Sequence, residues 1–219
     1  MSGATTLAVL AFGFMLGLRH ATEPDHVVAV STIVSERRSL LKAATVGVYW
    51  GLGHTASLLV VGLLAIGAGI MVPESIASRL ELGVAAMIVL LGASLLRSAL
   101  APAAAPDDGH RMAHSGEAHA SRIGWKPLIV GMIHGLAGSA ALIVLIQAEL
   151  AREASGLLGI GFLLLFGVGS IAGMLAMGTV ISLPFVLSAG SIAPLRAYLQ
   201  RLAGAGSVLF GLYYGWQAW

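Results

Sequence analysis

The sequence predicts an all-α integral membrane protein: six transmembrane helices in an inverted 3+3 repeat, with a kinked or broken first helix. Three observations carry this. Of 219 residues, 58% are apolar and only 10% charged, against about 25% charged in a soluble domain. Six stretches are apolar over the roughly 20 residues that a bilayer-spanning helix needs. Gly-rich blocks recur at about half the chain length, from Gly17 to Gly131 and from Gly51 to Gly167.

Helix 1 is expected over 4–35, interrupted by the polar run His20-Ala21-Thr22-Glu23-Pro24-Asp25-His26. Helix 2 follows over 43–72, with no charge between Lys42 and Glu74, and helix 3 over 78–100. Helices 4, 5 and 6 are expected over 126–148, 156–184 and 197–218, and Pro184 and Pro194 predict a break or a short extra element between 184 and 195. The chain thus divides into 1–100 (first repeat), a linker over 101–124 and 125–219 (second repeat). Pro, Ala, Gly and charge without apolar period make 101–124 a flexible linker, and it carries His110, His114 and His119. No basic n-region or small-x-small cleavage site precedes helix 1, so it reads as a retained span.

The repeat rests on two alignments. Trp50-Gly51-Leu52-Gly53 matches Phe166-Gly167-Val168-Gly169 at an offset of 116, and Gly17-Leu18-Arg19-His20 matches Gly131-Met132-Ile133-His134 at 114. Helix 3 against helix 6 is much weaker. Three helices is an odd number, so the halves run in opposite senses, a plan common among secondary transporters. Arg37, Arg38, Lys42, Arg97, Arg111, Arg122, Lys126, Arg196 and Arg201 fall on one side and Arg79 and Arg152 on the other. The positive-inside rule then puts both termini outside, the linker in the cytoplasm, and Tyr213, Tyr214, Trp216 and Trp219 in an outer interfacial belt.

Several functions are excluded. There is no cysteine, hence no disulfide framework, thiolate site or dithiol chemistry. The pI near 9.3 does not signal nucleic acid, because the basic residues sit at helix ends. No Gly-x4-Gly-Lys-Ser/Thr loop is present, so the chain hydrolyses no ATP, and the His-Glu-x-x-His box of metalloproteases is absent. The chain is not read as an enzyme and needs no prosthetic group.

The polar run carries the chemistry. Two imidazoles and two carboxylates halfway along an apolar span are expensive and mark an ion pathway. On a continuous helix, at 100° per residue, His20 and His26 would lie about 120° apart with Asp25 further off. Pro24 has no N–H and clashes with the carbonyl of His20, so the helix opens there. The loosened turn is expected to bring His20, Asp25 and His26 together and to leave that carbonyl free. Two nitrogens and a carboxylate suit a first-row divalent ion: Ni, Co, Zn or Cu(II). His54 on helix 2 and His134 on helix 4 lie at similar depth, and Gly17, Gly51 and Gly131 each precede a histidine by three residues. Small residues there permit close helix approach. His20, Asp25, His26 and His54 are therefore the expected metal ligands. Glu23, His134, Thr55 and Arg19 are candidates for ligation or support: Glu23 as ligand or partner of Arg19, and Arg19 as the charge that neutralises the carboxylates. Glu81 is expected at the interface.

Arg19-His20-Ala21-Thr22-Glu23-Pro24-Asp25-His26 resembles the His-x4-Asp-His signature of the nickel/cobalt transporter family, above all its compact six-helix branch of urease-accessory-type nickel permeases. Leu52-Gly53-His54-Thr55 resembles the family's second histidine motif. The block Gly131 to Leu142 resembles the helix-4 block of the compact branch. The resemblance implies high-affinity transport of Ni²⁺ or Co²⁺, with His20, Asp25 and His26 as essential motif residues. The larger, eight-helix branch usually has Asp where this chain has Glu23 followed by Pro24, which leaves the metal choice open.

The expected function is a multi-pass permease of a prokaryotic inner membrane that moves Ni²⁺ or Co²⁺ inward on the membrane potential. Its partners are a divalent transition-metal ion and the lipid bilayer. The alternatives are an efflux protein of the same fold, which the histidine-bearing linker fits, a membrane scaffold for metalloenzyme assembly, an intramembrane metalloenzyme and an exporter of sulfur-containing anions. A carboxylate-rich midplane disfavours the last.

Overall fold

The computed structural model describes residues 3–68, 73–101, 125–138, 156–191 and 193–219. Among them every regular element is a helix: α1 Gly3–His20, α2 Pro24–Val34, α3 Leu40–Ala68, α4 Glu74–Leu100, α5 over 126–138, α6 Gly156–Ser191 and α7 Ala193–Ala218. Among the described residues four stretches are long and apolar enough to cross a membrane: Gly3–His20, Leu40–Leu64, Glu74–Leu100 and Leu157–Ser188. The linker histidines His110, His114 and His119 and the end of expected helix 4 lie outside the described residues.

Helix 1 is broken as expected. The residue before a proline avoids the α region, and Glu23 is extended (φ −63°, ψ 145°) as the N-cap of α2, with Pro24 in the first turn. Proline suits that position, where its missing N–H has no helical partner. One detail differs from expectation. The His20 carbonyl is not free, because it accepts the Glu23 N–H at 3.1 Å while the Arg19 carbonyl accepts the Thr22 N–H at 2.9 Å. The chain closes tight i→i+3 turns before it breaks, and the first of these contacts satisfies the His20 carbonyl that Pro24 abandons.

Pro184 does not end its helix. α6 continues to Ser191 with Pro184 inside it, so no separate short element spans 184–191. One proline removes one donor, and within membrane-embedded helices neighbouring hydroxyls and helices absorb that loss. The carbonyl left without that donor is that of Val180, four residues earlier; the Ser182 hydroxyl donates to the adjacent Thr179 carbonyl.

Glycines set the packing. A methyl on Gly17 would overlap the Phe166 carbonyl and crowd the Ser170 nitrogen; one on Gly131 would overlap the Trp50 carbonyl and crowd the His54 nitrogen. Gly169 abuts Phe14 and Leu18, and Gly53 abuts Leu128 and Met132. Gly51 faces Ile171, and Gly167 faces Thr55. Partners rise together in number along α1 and α6 and along α3 and α5, which makes each pair parallel. They run oppositely along α3 and α6, which are antiparallel.

The fourth helix crosses the seventh at Gly92 and Gly204. A methyl on either would come within 3.0 Å of the other's carbonyl oxygen. The short α2 packs against α6 and α7. Gln200 donates to the Ser35 carbonyl at 3.0 Å, and Arg196 to the carbonyls of Ser35 (3.4 Å) and Glu36 (3.2 Å), so α7 caps the end of α2. Buried Ala29, Val30, Ile33 and Val34 of α2 join Val46, Trp50, Val84, Ile88 and Met174 in the main apolar core.

Candidate metal centre

The break in helix 1 turns two imidazoles toward each other. The rings of His20, the last residue of α1, and His26, in the first turn of α2, have centroids 4.5 Å apart. Gly53 and Gly131 let α3 and α5 approach closely, and each helix delivers one more histidine. His54 Nε2 lies 3.0 Å from His20 Nε2, and the His134 ring is 4.1 Å from that of His26. His26, His54 and His134 are all at least 98% buried.

The carboxylates order these rings. Asp25 receives His26 Nδ1 at 3.1 Å on one oxygen and His134 Nε2 at 2.8 Å on the other. Glu23 lies 2.9 Å from His20 Nδ1. An ionised carboxylate only accepts, so these contacts place protons on His20 Nδ1, His26 Nδ1 and His134 Nε2. The lone pairs of His20 Nε2 and His26 Nε2 are thereby left for another partner. His26 Nε2, His54 Nδ1 and His134 Nδ1 are buried and have no hydrogen-bond partner among the described residues.

Two overlapping triads can hold a metal ion, His20 with His26 and His54, and Asp25 with His26 and His134. Within each triad the ligand atoms lie within 4.8 Å of one another. Metal–nitrogen bonds of about 2.0–2.1 Å put cis ligands roughly 3 Å apart, so the His20–His54 pair is already spaced for one ion.

A cavity of about 330 Å³ opens onto the cluster and is lined by His20, Glu23, Asp25, His26 and His134, with Gly138 of α5 and Phe166 of α6 among its walls. It also reaches Glu81 of α4 and Tyr214 of α7. Two packing relations echo the sequence repeat. Phe166 sits 5.4 Å from the His20 ring, and Trp50 sits 5.7 Å from the His134 ring.

Some expected roles fall elsewhere. His20 and Asp25 do not share a triad: Asp25 faces His26 and His134, because one carboxylate already spans both imidazoles. Glu23 pairs with His20 rather than Arg19. The latter is exposed and forms no ion pair among the described residues, since it lies on the lipid or solvent side of the last turn of α1. The Thr55 hydroxyl donates to the Gly167 carbonyl at 3.3 Å, a helix–helix contact. Tyr214 and Glu81, expected at the interface, also line the cavity, Glu81 lying two turns into α4.

Residues 4–162 match the family described as high-affinity nickel-transport protein. This chain belongs to that nickel-transport family. It is 37% identical over 219 residues to a urease accessory protein, UreH, of Bacillus sp. (strain TB-90), covering 98% of this chain and 93% of the relative. It is 32% and 28% identical to the chloroplast proteins FOR GROWTH AND FERTILITY 1 and 2 of Arabidopsis thaliana, covering 74% of this chain but 46% and 44% of theirs. No solved structure matches it. Membership in the nickel-transport family, with its long apolar helices, makes this a multi-pass membrane transporter rather than an enzyme, with nickel as the implied substrate.

Proposed function

We propose that this chain is a secondary permease that carries Ni²⁺ or Co²⁺ inward across a prokaryotic inner membrane, with His20, His26 and His54 as the ligands that receive the ion. The observation that carries the reading is the convergence of three imidazoles, from α1, α2 and α3, with ligand atoms within 4.8 Å of one another, two of which, His20 and His26, line a cavity. Asp25 and His134 hold His26 in the tautomer that offers Nε2, and Glu23 does the same for His20. Such outer partners orient ligands and raise their basicity.

The proposal includes six spans and an inverted repeat, residues 1–100 and 125–219, joined by a cytoplasmic linker over 101–124. Helix directions support it: α1 runs with α6, α6 against α3, and α3 with α5, so α1 and its sequence counterpart α5 run oppositely. Equivalent contacts support it too, since Gly17 on Phe166 and Gly131 on Trp50 correspond at the offsets of 114 and 116. With both termini outside, by the basic-residue bias, the cavity opens outward, where α4 begins and α7 ends.

The membrane potential suffices as driving force. One charge gains roughly 2.3 kcal/mol per 100 mV, so a dication gains about 4.6, more than a thousandfold accumulation. By its likeness to a urease accessory protein, the imported metal serves nickel-enzyme assembly.

The test is metal uptake by cells expressing wild type, His20→Ala or Asp25→Ala, with Ni, Co and Zn competing. Raised cell-associated nickel that both variants abolish supports the permease. Lowered nickel points to efflux by the same fold, and uptake unchanged in His20→Ala points to a scaffold.

A further inference from the structure

The Glu81 carboxylate belongs to α4, a membrane-length helix, seven residues or about 10 Å from the helix start at Glu74. Carboxylates at such depth are normally paired or face a water-filled space. Among the described residues Glu81 has neither ion pair nor hydrogen bond, and it lines the histidine cavity. That cavity, at about 330 Å³, has room for roughly ten waters at about 30 Å³ each, enough for an ion that keeps most of its hydration shell. At the floor of the same cavity His26, 1% exposed, presents Nε2 with no partner.

We infer that Glu81 is the capture carboxylate of the transport path, a positioning residue that holds a still-hydrated divalent cation in the cavity before the imidazoles replace its water. This deepens the permease reading and rests on it. A carboxylate accepts hydrogen bonds from the water shell of an ion and concentrates cations by charge alone, without demanding dehydration. Imidazole nitrogen, the better ligand for a first-row ion, then takes the metal at the floor. Glu23 is unsuited to the first task because its carboxylate is engaged by His20 Nδ1. Oxygen first and nitrogen second lets hydrated ions collect at the mouth while the triad does the selecting.

The test uses full-length protein in liposomes with a nickel-sensitive dye inside and nickel outside. For Glu81→Gln the apparent KM for nickel is expected to rise roughly tenfold, with Vmax within twofold of wild type. Nickel-binding stoichiometry of the detergent-solubilised protein should be unchanged, which reports an intact triad. Glu81→Asp, which keeps the charge, should restore most of the KM. A KM for Glu81→Gln equal to wild type, a loss confined to Vmax, or an Asp variant no better than Gln overturns the assignment. Wild-type liposomes that move no nickel overturn the permease reading itself, a result distinct from any of these.

Discussion

Nε2 of His20 and Nε2 of His54 stand 3.0 Å apart across 34 residues of sequence. Two neutral imidazoles at that distance share one proton, and a metal ion that displaces it gains both nitrogens. On the proposed reading, removing His54 removes a ligand. His54→Ala should weaken nickel binding by more than about a hundredfold, beyond the 10–100-fold typical of an outer partner. Titration calorimetry on the solubilised protein measures this. Affinity within tenfold of wild type would show that the ion sits elsewhere, the Asp25–His26–His134 triad being the alternative.

Asp25 acts through geometry that an amide cannot reproduce. Its two oxygens accept from His26 Nδ1 and His134 Nε2. Asp25→Asn keeps the shape but turns one acceptor into a donor, so one of the two rings must change tautomer. If that ring is His26, its Nε2 becomes protonated and is lost as a ligand. Nickel affinity should fall about 10–100-fold while the variant folds. His134→Ala should fall less, since it leaves the His26 contact intact. Equal affinities for Asp25→Asn and wild type would remove Asp25 from the supporting role.

How much of this was legible in the sequence follows from which forces are local. The break at Glu23–Pro24 was, because a proline and the residue before it restrict the backbone whatever surrounds them. The approach of His20, His54 and His134 was, because Gly17, Gly51 and Gly131, each three residues before a histidine, signal close helix packing at that depth. The partner of Glu23 was not. Arg19 and His20 are neighbours in sequence, and only the closed turn at Thr22 and Glu23 decides which one the carboxylate meets. That Glu81 lines the cavity was not, because nothing local in the sequence says that α4 and α7 pack beside the broken first helix. Pro184 misled for the opposite reason: a proline rule drawn from water-exposed helices overstates the break inside a packed bundle.

The glycine contacts make a paired prediction about stability. A methyl on Gly17 or Gly131 collides with a carbonyl on the neighbouring helix, whereas one on Gly83 meets nothing within 4 Å. Overpacking costs typically 1–3 kcal/mol, and glycine to alanine in an open helix position gains up to about 1 kcal/mol. Thermal unfolding in detergent should therefore rank Gly17→Ala and Gly131→Ala below wild type by similar amounts, with Gly83→Ala at or above it. A large difference between the first two would argue against equivalent packing in the two halves.

The cap on α2 predicts a non-additive pair. The Ser35 carbonyl, fully buried in its residue, accepts from both Gln200 and Arg196. Losing one donor leaves the other in place, so Gln200→Ala should cost only about 0.5–1.5 kcal/mol, the net worth of an ordinary hydrogen bond. Arg196→Ala should cost more, because it also abandons the Glu36 carbonyl. The double variant leaves the Ser35 carbonyl with neither side-chain donor, and an unpaired buried acceptor costs about 1–3 kcal/mol by itself. The double loss should exceed the sum of the singles by at least about 0.5 kcal/mol, the range seen for residues sharing a partner. Equilibrium unfolding of the four proteins gives the coupling directly. Strict additivity would mean that the two side chains do not serve the same carbonyl.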